Sequence, residues 1–315
     1  IGISKSNVEF FNRNIINIEK LIWKLKKIEI YSDNMKRQKI INFENSNSYL
    51  FSIIKNHKLI EILEKSLIKN KYFKKINIKK NINFFEHYDL VFNTDYNSSF
   101  SKKYFTKKIE KKYNSLAYTS ILKHEKISNN IAIQIFTKNG PLAFLPISDY
   151  ETSIVYSINN HIKSKDEINT LINNYNFKYN VKKINKFNCF ELKGFSLRSY
   201  YHNNILAFGD LLHRIHPLAG QGFNMTIRDI KILIDLIKKK LELGLPIDSS
   251  LNKDFEKKQK HKNYIFSTGI NLIHEFFNLE RKTKNNFLSK SIQLINKNSS
   301  INEIFTKIAD DGVLF

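Results

Sequence analysis

Residues 208–229 read FGDLLHRIHPLAGQGFNMTIRD, and this stretch decides how the chain is read. Gly209, Gly220 and Gly222 are three of the nine glycines in 315 residues, and Pro217 is one of four prolines, whereas the rest of the chain runs through Lys, Asn and Ile. The residues before it, NILAFGD, are an apolar run that predicts a buried strand. The residues after it predict a helix, with Ile227, Ile230, Leu233, Ile234 and Leu236 on one stripe and a stop at Gly244-Leu245-Pro246. A helix start flanked by glycines presents unpaired backbone N–H groups with no side chain in the way, and the helix dipole adds partial positive charge. Such an end suits a phosphate, a carboxylate or a ring carbonyl that becomes anionic. Asp210, at the carboxyl end of the strand, is placed to accept hydrogen bonds from sugar-type hydroxyls. Together these describe a site for a polyol-bearing cofactor with an electron-accepting ring; the plainer alternative is a strand-to-helix corner whose glycines serve packing.

Upstream, residues 4–25 carry apolar side chains at helical spacing and predict one helix or two short ones. Residues 27–42 alternate as a strand pair does. Residues 56–70 predict an amphipathic helix with Leu59, Ile60, Ile62, Leu63 and Leu67 on one face. HYDLVFNTD, residues 87–95, reads as a buried strand feeding a polar turn. From 113 to 160 four strands follow, separated by turn signals such as Asn139-Gly140-Pro141, which suggests one antiparallel sheet. Ser164 and Glu167 stand in capping-box spacing ahead of a helix, strands return before the glycine-rich loop, and residues 250–315 read as two or three Lys-rich helices.

The formal net charge of +23 invites a nucleic-acid reading, but Arg, the usual reader of base edges and phosphates, occurs only at 13, 37, 198, 214, 228 and 281. The charge is nearly all Lys, scattered as expected where an A/T-rich coding sequence has shifted tolerant surface sites. No nucleic-acid partner is expected; attraction to an anionic membrane surface takes second place. The single cysteine, Cys189, excludes an internal disulfide framework and is expected as a small buried hydrophobe. No apolar run reaches 18 residues, so no transmembrane helix is expected, nor a signal peptide. His213-x-x-His216 has no second cluster of matching spacing, so no metal site is assigned. His124-Glu125 reads as a strand-end polar pair, and the carboxylates of the closing ADDGVLF as a solvated tail.

GDLLHRIHPLAGQGFNMTIRD resembles the second flavin-binding motif, GD(A/S)AHxxxPxxGQGxNxxxxD, of the FAD-dependent aromatic-ring hydroxylases. Residues 124–158, HEKISNNIAIQIFTKNGPLAFLPISDYETSIVYSI, resemble the sheet region of the ubiquinone-biosynthesis branch of the 2-polyprenyl-6-methoxyphenol hydroxylase type. The resemblance implies an FAD-dependent monooxygenase hydroxylating a polyprenylated phenol, with NAD(P)H or another electron donor reducing FAD, and O2 captured as a flavin hydroperoxide; no protein nucleophile is required. It implies that Asp210 bonds the ribityl hydroxyls while Gly209 lets the chain approach, and that Pro217 lies along the isoalloxazine ring. Gly220, Gln221, Gly222, Phe223 and Asn224 would face the pyrimidine edge, Asp229 would fix their helix, and Asp95 would stand for the aspartate of the family's GADGxxS motif.

The resemblance also implies a fold: α/β (α+β), a Rossmann-like FAD/NAD(P)-binding domain of the aromatic-hydroxylase type, with an inserted antiparallel substrate sheet and C-terminal helices. Its FAD-binding part would comprise residues 1–24, 49–112 and 199–245, its substrate sheet 25–48 and 113–198, and its helical region 246–315. The sequence departs from the family in three places: no GxGxxG unit is found, so the expected form is N-terminally truncated, Tyr96 follows Asp95 where the family has Gly, and Leu211-Leu212 replace small residues. A cytoplasmic protein, peripheral at the inner face of the membrane and within a ubiquinone-biosynthesis complex, is the setting implied. The alternative is a truncated or degenerate member without activity that keeps a structural or partner-binding role.

Overall fold

The computed structural model describes residues 1–33, 38–44, 48–76, 87–159, 164–217, 220–283, 289, 290 and 293. In chain order the elements begin with β1 (Gly2–Ser4), α1 (Lys5–Asn14), β2 (Ile22–Leu25), β3 (Lys27–Ser32), β4 (Lys39–Glu44), β5 (Phe51–Ile54) and α2 (Asn56–Ile68). Next come β6 (Val91–Asn93), α3 (Ser99–Tyr104), β7 (Lys108–His124), β8 (Ile131–Thr137), β9 (Gly140–Pro146), β10 (Glu151–Asn159) and α4 (Lys165–Tyr175). The last are β11 (Val181–Ile184), β12 (Asn188–Leu197), β13 (Tyr201–His202), β14 (Ile205–Ala207), β15 (His213–Arg214), α5 (Gln221–Glu242) and α6 (Ser249–Thr283). By compactness the chain divides into a first unit, Ile1–Asn56, Lys112–Leu192 and Leu272–Asp310, and a second, His57–Lys111, Lys193–Asn271 and Asp311–Phe315. This division follows packing, whereas the one implied by the resemblance follows ligand roles.

The first unit holds the small antiparallel sheet β1-β5-β2 and the run β7-β10-β9-β8-β3-β4. β7, β10, β9 and β8 pair antiparallel as the sequence predicts, while β3 joins β8 in parallel, making the sheet mixed. β10 alternates buried and half-buried positions over most of its length, the period-2 signature of a strand with one face in the core. Tyr156, Phe144, Leu122 and Leu142 are at most 1% exposed in that core, each contributing about 1.5–3 kcal/mol of burial. The capping box of α4 is formed on both sides: the Glu167 backbone N–H donates to Ser164 and the Ser164 N–H donates to the Glu167 carboxylate.

The structure corrects four sequence expectations. Residues 22–25 form a strand, not a helix, because they pair with β5 and bury Leu25 completely; apolar spacing alone could not separate the two. On α2 only Leu59 is buried, and Ile60 and Leu67 are exposed. Cys189 is exposed, since the first half of β12 is exposed throughout. Residues 249–283 form one helix, whose Asn252, Phe255, Gln259, Asn263 and Phe266 make a buried stripe at helical spacing. The tail carboxylates at 310 and 311 lie outside the described residues.

In the second unit, β14 lies between β13, antiparallel, and β6, parallel. Around it Tyr200, Leu206, Ala207, Leu212, Leu251 and Phe255 pack with no measurable exposure. This core is what fixes the ends of β6 and β14.

Candidate functional site

β6 and β14 run parallel, with Val91, Phe92 and Asn93 opposite Ile205, Leu206 and Ala207. The pairing extends one step further, where the Phe208 N–H donates to the Asn93 carbonyl at 2.9 Å. Both strands therefore end together, and their carboxyl ends deliver Asp95 and Asp210 two residues beyond this last bond. In open α/β sheets ligands sit outside the carboxyl ends of parallel strands. The Asp95 loop is stiffened from beneath: Asn93 is buried, its Oδ1 accepts from the Asp95 N–H at 3.2 Å, and its Nδ2 donates to Ser98 and Ser101. Asp95 Oδ1 accepts from the Asn97 N–H at 2.8 Å, and the aspartate is exposed.

Asp210 sits in a single 3-10 turn, Gly209–Leu211, and is exposed. Gly209 has φ +62°, a left-handed conformation that glycine adopts freely, and a Cβ added there would meet nothing within 4 Å. Leu211 and Leu212, at 1% and 0% exposure, turn into the core, so their bulk lies away from the exposed side of Asp210. Pro217 is exposed, and Leu218 and Ala219 lie outside the described residues.

The long helix α5 starts at Gln221, with Gly220 as its N-cap at φ +64° and no side chain capping the first turn. Its first turn also lacks acidic residues, so the N–H groups of that end are left for another acceptor. Asn224, fully buried, donates to the Gly220 carbonyl at 3.0 Å and holds the cap. Gly222 has neither a left-handed φ nor a crowded Cβ; the nearest atom to an added Cβ is Ile215 Cγ1 at 3.8 Å. By contrast, a side chain at Gly2 would overlap the Phe51 ring, and one at Gly140 the Ser157 carbonyl. Nothing within the protein accounts for glycine at 222. Gln221, 4% exposed, carries an Oε1 with no hydrogen-bond partner.

A buried polar network ties the loop to the two helices. Asp229 of α5 faces His213 Nε2 at 2.6 Å through Oδ2, and its Oδ1 accepts from Gln259 at 2.7 Å and Asn263 at 3.0 Å, both on α6. Asp229 is fully buried and the His213 side chain 1% exposed. Gln259 and Asn263 escaped the sequence reading; the available signal was two amides one helical turn apart on the apolar stripe of α6.

Tyr96 was read only as a departure from a motif. Its ring lies 5.3 Å from Phe195, with Lys108 Nζ 4.8 Å and Arg214 Cζ 5.6 Å from its centre. Arg214 belongs to β15, directly after the Asp210 turn, so a cation–π contact joins the Asp95 loop to the Asp210 loop. Lys108 also bonds the Tyr96 hydroxyl and Glu110, and the paired groups raise the ammonium pKa above its ordinary value.

A family model described as an FAD binding domain matches residues 158–242. The mitochondrial ubiquinone biosynthesis monooxygenase COQ6 of Schizosaccharomyces pombe is 23% identical over 230 residues, covering 58% of this chain and 48% of that protein. The 3-demethoxyubiquinol 3-hydroxylase of Escherichia coli is 28% identical over 152 residues, covering 46% of this chain and 39% of the relative. The chain belongs to the FAD-dependent aromatic-hydroxylase family. It spans less than half the length of these two relatives. Its fold is that of FAD-dependent monooxygenases: p-nitrophenol 4-monooxygenase from Pseudomonas putida superposes with a TM-score of 0.75 at 10% identity, covering 100% of this chain and 88% of the other. Klebsiella pneumoniae HpxO, in a complex with FAD and uric acid, superposes with a TM-score of 0.73 at 10% identity, covering 98% and 87%.

For an aromatic hydroxylase the group to test against this crevice is FAD, and the residues fit it. Gly209 and Gly222 leave open space where a side chain would stand, the start of α5 offers uncapped donors, and Gln221 Oε1 is an acceptor awaiting a donor. Among the described residues no cluster of three His, Cys, Asp or Glu could hold a metal.

Proposed function

We propose that the chain forms the flavin-ring side of an FAD-dependent monooxygenase that hydroxylates a polyprenylated phenol in ubiquinone biosynthesis. The observation that carries this reading is Gly222, a glycine on the first turn of α5 that neither backbone conformation nor protein packing requires. Asp210 would accept hydrogen bonds from the ribityl hydroxyls, with Gly209 allowing close approach. The N–H groups of Gly222 and Phe223 would face the pyrimidine edge and favour its anionic, reduced form, Gln221 Oε1 would accept a ring N–H, and Pro217 would lie along the ring. Asp95 would close the crevice from the neighbouring strand end. When bound, FAD supplies the oxidation chemistry, taking two electrons from NAD(P)H or another donor and delivering one atom of O2 to the phenol and the other to water. The protein's part is to bind, to orient and to stabilise negative charge at the end of α5. A polyprenyl tail keeps the substrate at a bilayer, which the formal charge of +23 suits, so the chain works at a membrane face beside other enzymes of the pathway.

Titration of the 315-residue chain with FAD tests this. Binding shows as a shift of the visible flavin bands and a change in flavin fluorescence, and Asp210→Ala weakens it about tenfold, the loss of roughly one or two good hydrogen bonds. An unchanged flavin spectrum at excess FAD refutes the reading.

A second reading, a non-catalytic family member, draws on Tyr96, whose ring and cation contacts occupy the position where the family has glycine. It expects weak flavin binding by the natural chain and recovery in Tyr96→Gly. Tight binding by the natural chain removes it.

A further inference from the structure

A groove of about 860 Å³ opens on the second unit, between residues 196–201 and one face of α6. Lys253, Lys257, Lys260 and Tyr264 lie on α6 at i, i+4, i+7 and i+11, so they share that face, opposite the stripe that buries Phe255 and Asn263. Arg198 faces them from the end of β12, and Ile109 and Leu197 supply apolar lining. The walls are held rigidly. The Tyr200 N–H donates to Glu256 Oε2 at 2.8 Å, Glu256 Oε1 pairs with Lys260 at 2.9 Å, and the Arg198 N–H donates to the Lys107 carbonyl at 2.9 Å.

The charge here is unspent. The one lining carboxylate, Glu256, is occupied by Tyr200 and Lys260, whereas Arg198, Lys253 and Lys257 have no ion pair, side-chain hydrogen bond or ring contact among the described residues. Arg198 is the telling residue. In a chain with six arginines against an abundance of lysine, Arg13 pairs with Glu9, Arg214 covers Tyr96 and Phe195, and Arg228 covers Phe266. Arg198 keeps its guanidinium exposed beside a groove instead, the fork geometry that binds phosphate oxygens in pairs. Tyr264 is 49% exposed on the same face, an aromatic surface next to the cations.

We propose that this groove is a second binding site, separate from the Asp95 and Asp210 crevice, for a phosphate group borne on an apolar or aromatic body. The phosphate seats on Arg198, Lys253 and Lys257, and the body lies on Ile109, Leu197 and Tyr264. Two sources share this chemistry, the headgroup of an anionic phospholipid and a free nucleotide.

The experiment measures binding of the 315-residue chain to phosphatidylcholine vesicles with and without phosphatidylglycerol, and to ADP by calorimetry. Two variants of equal charge are compared with the natural chain: R198Q/K253Q/K257Q in the groove, and K165Q/K182Q/K183Q on exposed lysines of the first unit. The groove variant should bind one probe at least about tenfold more weakly while the control stays within about twofold, because seated charges act at contact and scattered ones are screened beyond about 10 Å. Loss with the vesicles assigns a lipid headgroup, and loss with ADP assigns a nucleotide. Equal losses in both variants, or no binding of either probe by the natural chain, overturn the proposal. All six side chains are exposed, and matching melting curves confirm that each variant folds.

Discussion

Removing the Asp229 carboxylate tests whether the buried network holds the glycine-rich loop. Three side chains, His213, Gln259 and Asn263, direct polar groups at its two oxygens, all within 3.0 Å and all buried. Asp229→Ala leaves three polar groups without their partner, and each orphaned group costs about 1–3 kcal/mol. Some relief comes from side chains moving into the space, so the expected loss is about 4 kcal/mol, near the low end of the sum. For a protein of this size that lowers the calorimetric Tm by roughly 8–16 °C. Asp229→Asn keeps the volume and one acceptor and should fall between the two. His213→Ala combined with Asp229→Ala should show a coupling energy of about 1.5–3 kcal/mol, since the second change removes nothing the first has not already broken. A Tm for Asp229→Ala within about 2 °C of the natural chain, or additive double-mutant energies, would refute the claim that this carboxylate anchors the loop.

Gly222→Ala separates a ligand-facing glycine from a packing one: the helix tolerates it, with a stability change under about 1 kcal/mol, while flavin affinity falls about tenfold. A large stability loss would return Gly222 to the packing reading. Gly140→Ala is the opposite case, because the new methyl would overlap the Ser157 carbonyl across the β9–β10 ladder; the expected loss is about 3 kcal/mol or more, read by urea denaturation. Alkaline stability follows from the tyrosines. Burial pushes the Tyr179 phenol up to about 12, and burial together with Glu29, Asp33 and Asp229 raises Tyr31, Tyr175 and Tyr200 respectively. A phenol whose folded pKa is raised contributes its full stability below the unfolded value near 10 and loses it as pH climbs to the folded value. Tyr179 alone removes about 2–3 kcal/mol between those limits. In near-ultraviolet titration these phenols should ionise late and together with unfolding; ionisation near the ordinary value in a folded chain would contradict their burial.

The antiparallel run β7 to β10, the capping box at Ser164 and the strand, turn and helix around Gly209 were legible because each is written locally, as an alternation, a three-residue spacing or a cluster of glycines. Residues 22–25 were misread because their apolar positions fit a helix and a strand alike, and only the partner strand β5, some thirty residues away, decides between them. The parallel addition of β3 to β8 joins segments about a hundred residues apart and leaves no local mark. Cys189 was misplaced for a related reason. Its burial depends on whether β12 is covered at that point, which composition does not record.

The candidate site shows the same limit more sharply. Asp95 and Asp210 lie 115 positions apart in the numbering, and only the parallel register of β6 on β14 brings their loops to one edge. Asp210 and the glycines could be named from the sequence, but not which glycine answers to what. Gly209 and Gly220 answer to backbone conformation, Gly2 and Gly140 to packing, and Gly222 to neither. That residue by residue sorting turns a cluster of glycines into an argument for a ligand. The Tyr96 position points the same way from the other side. Its ring does not replace the missing glycine silently; it is held by Phe195 and by cations from both β7 and β15, so the loop carrying Asp95 cannot move without disturbing the strand that follows Asp210. Tyr96→Gly should therefore loosen the Asp95 loop as well as widen the crevice, and the two effects separate in hydrogen exchange. Faster exchange confined to residues 95–101 with unchanged flavin affinity would mean that the ring serves the loop alone, whereas altered affinity without faster exchange would mean that it stands in the ligand's place.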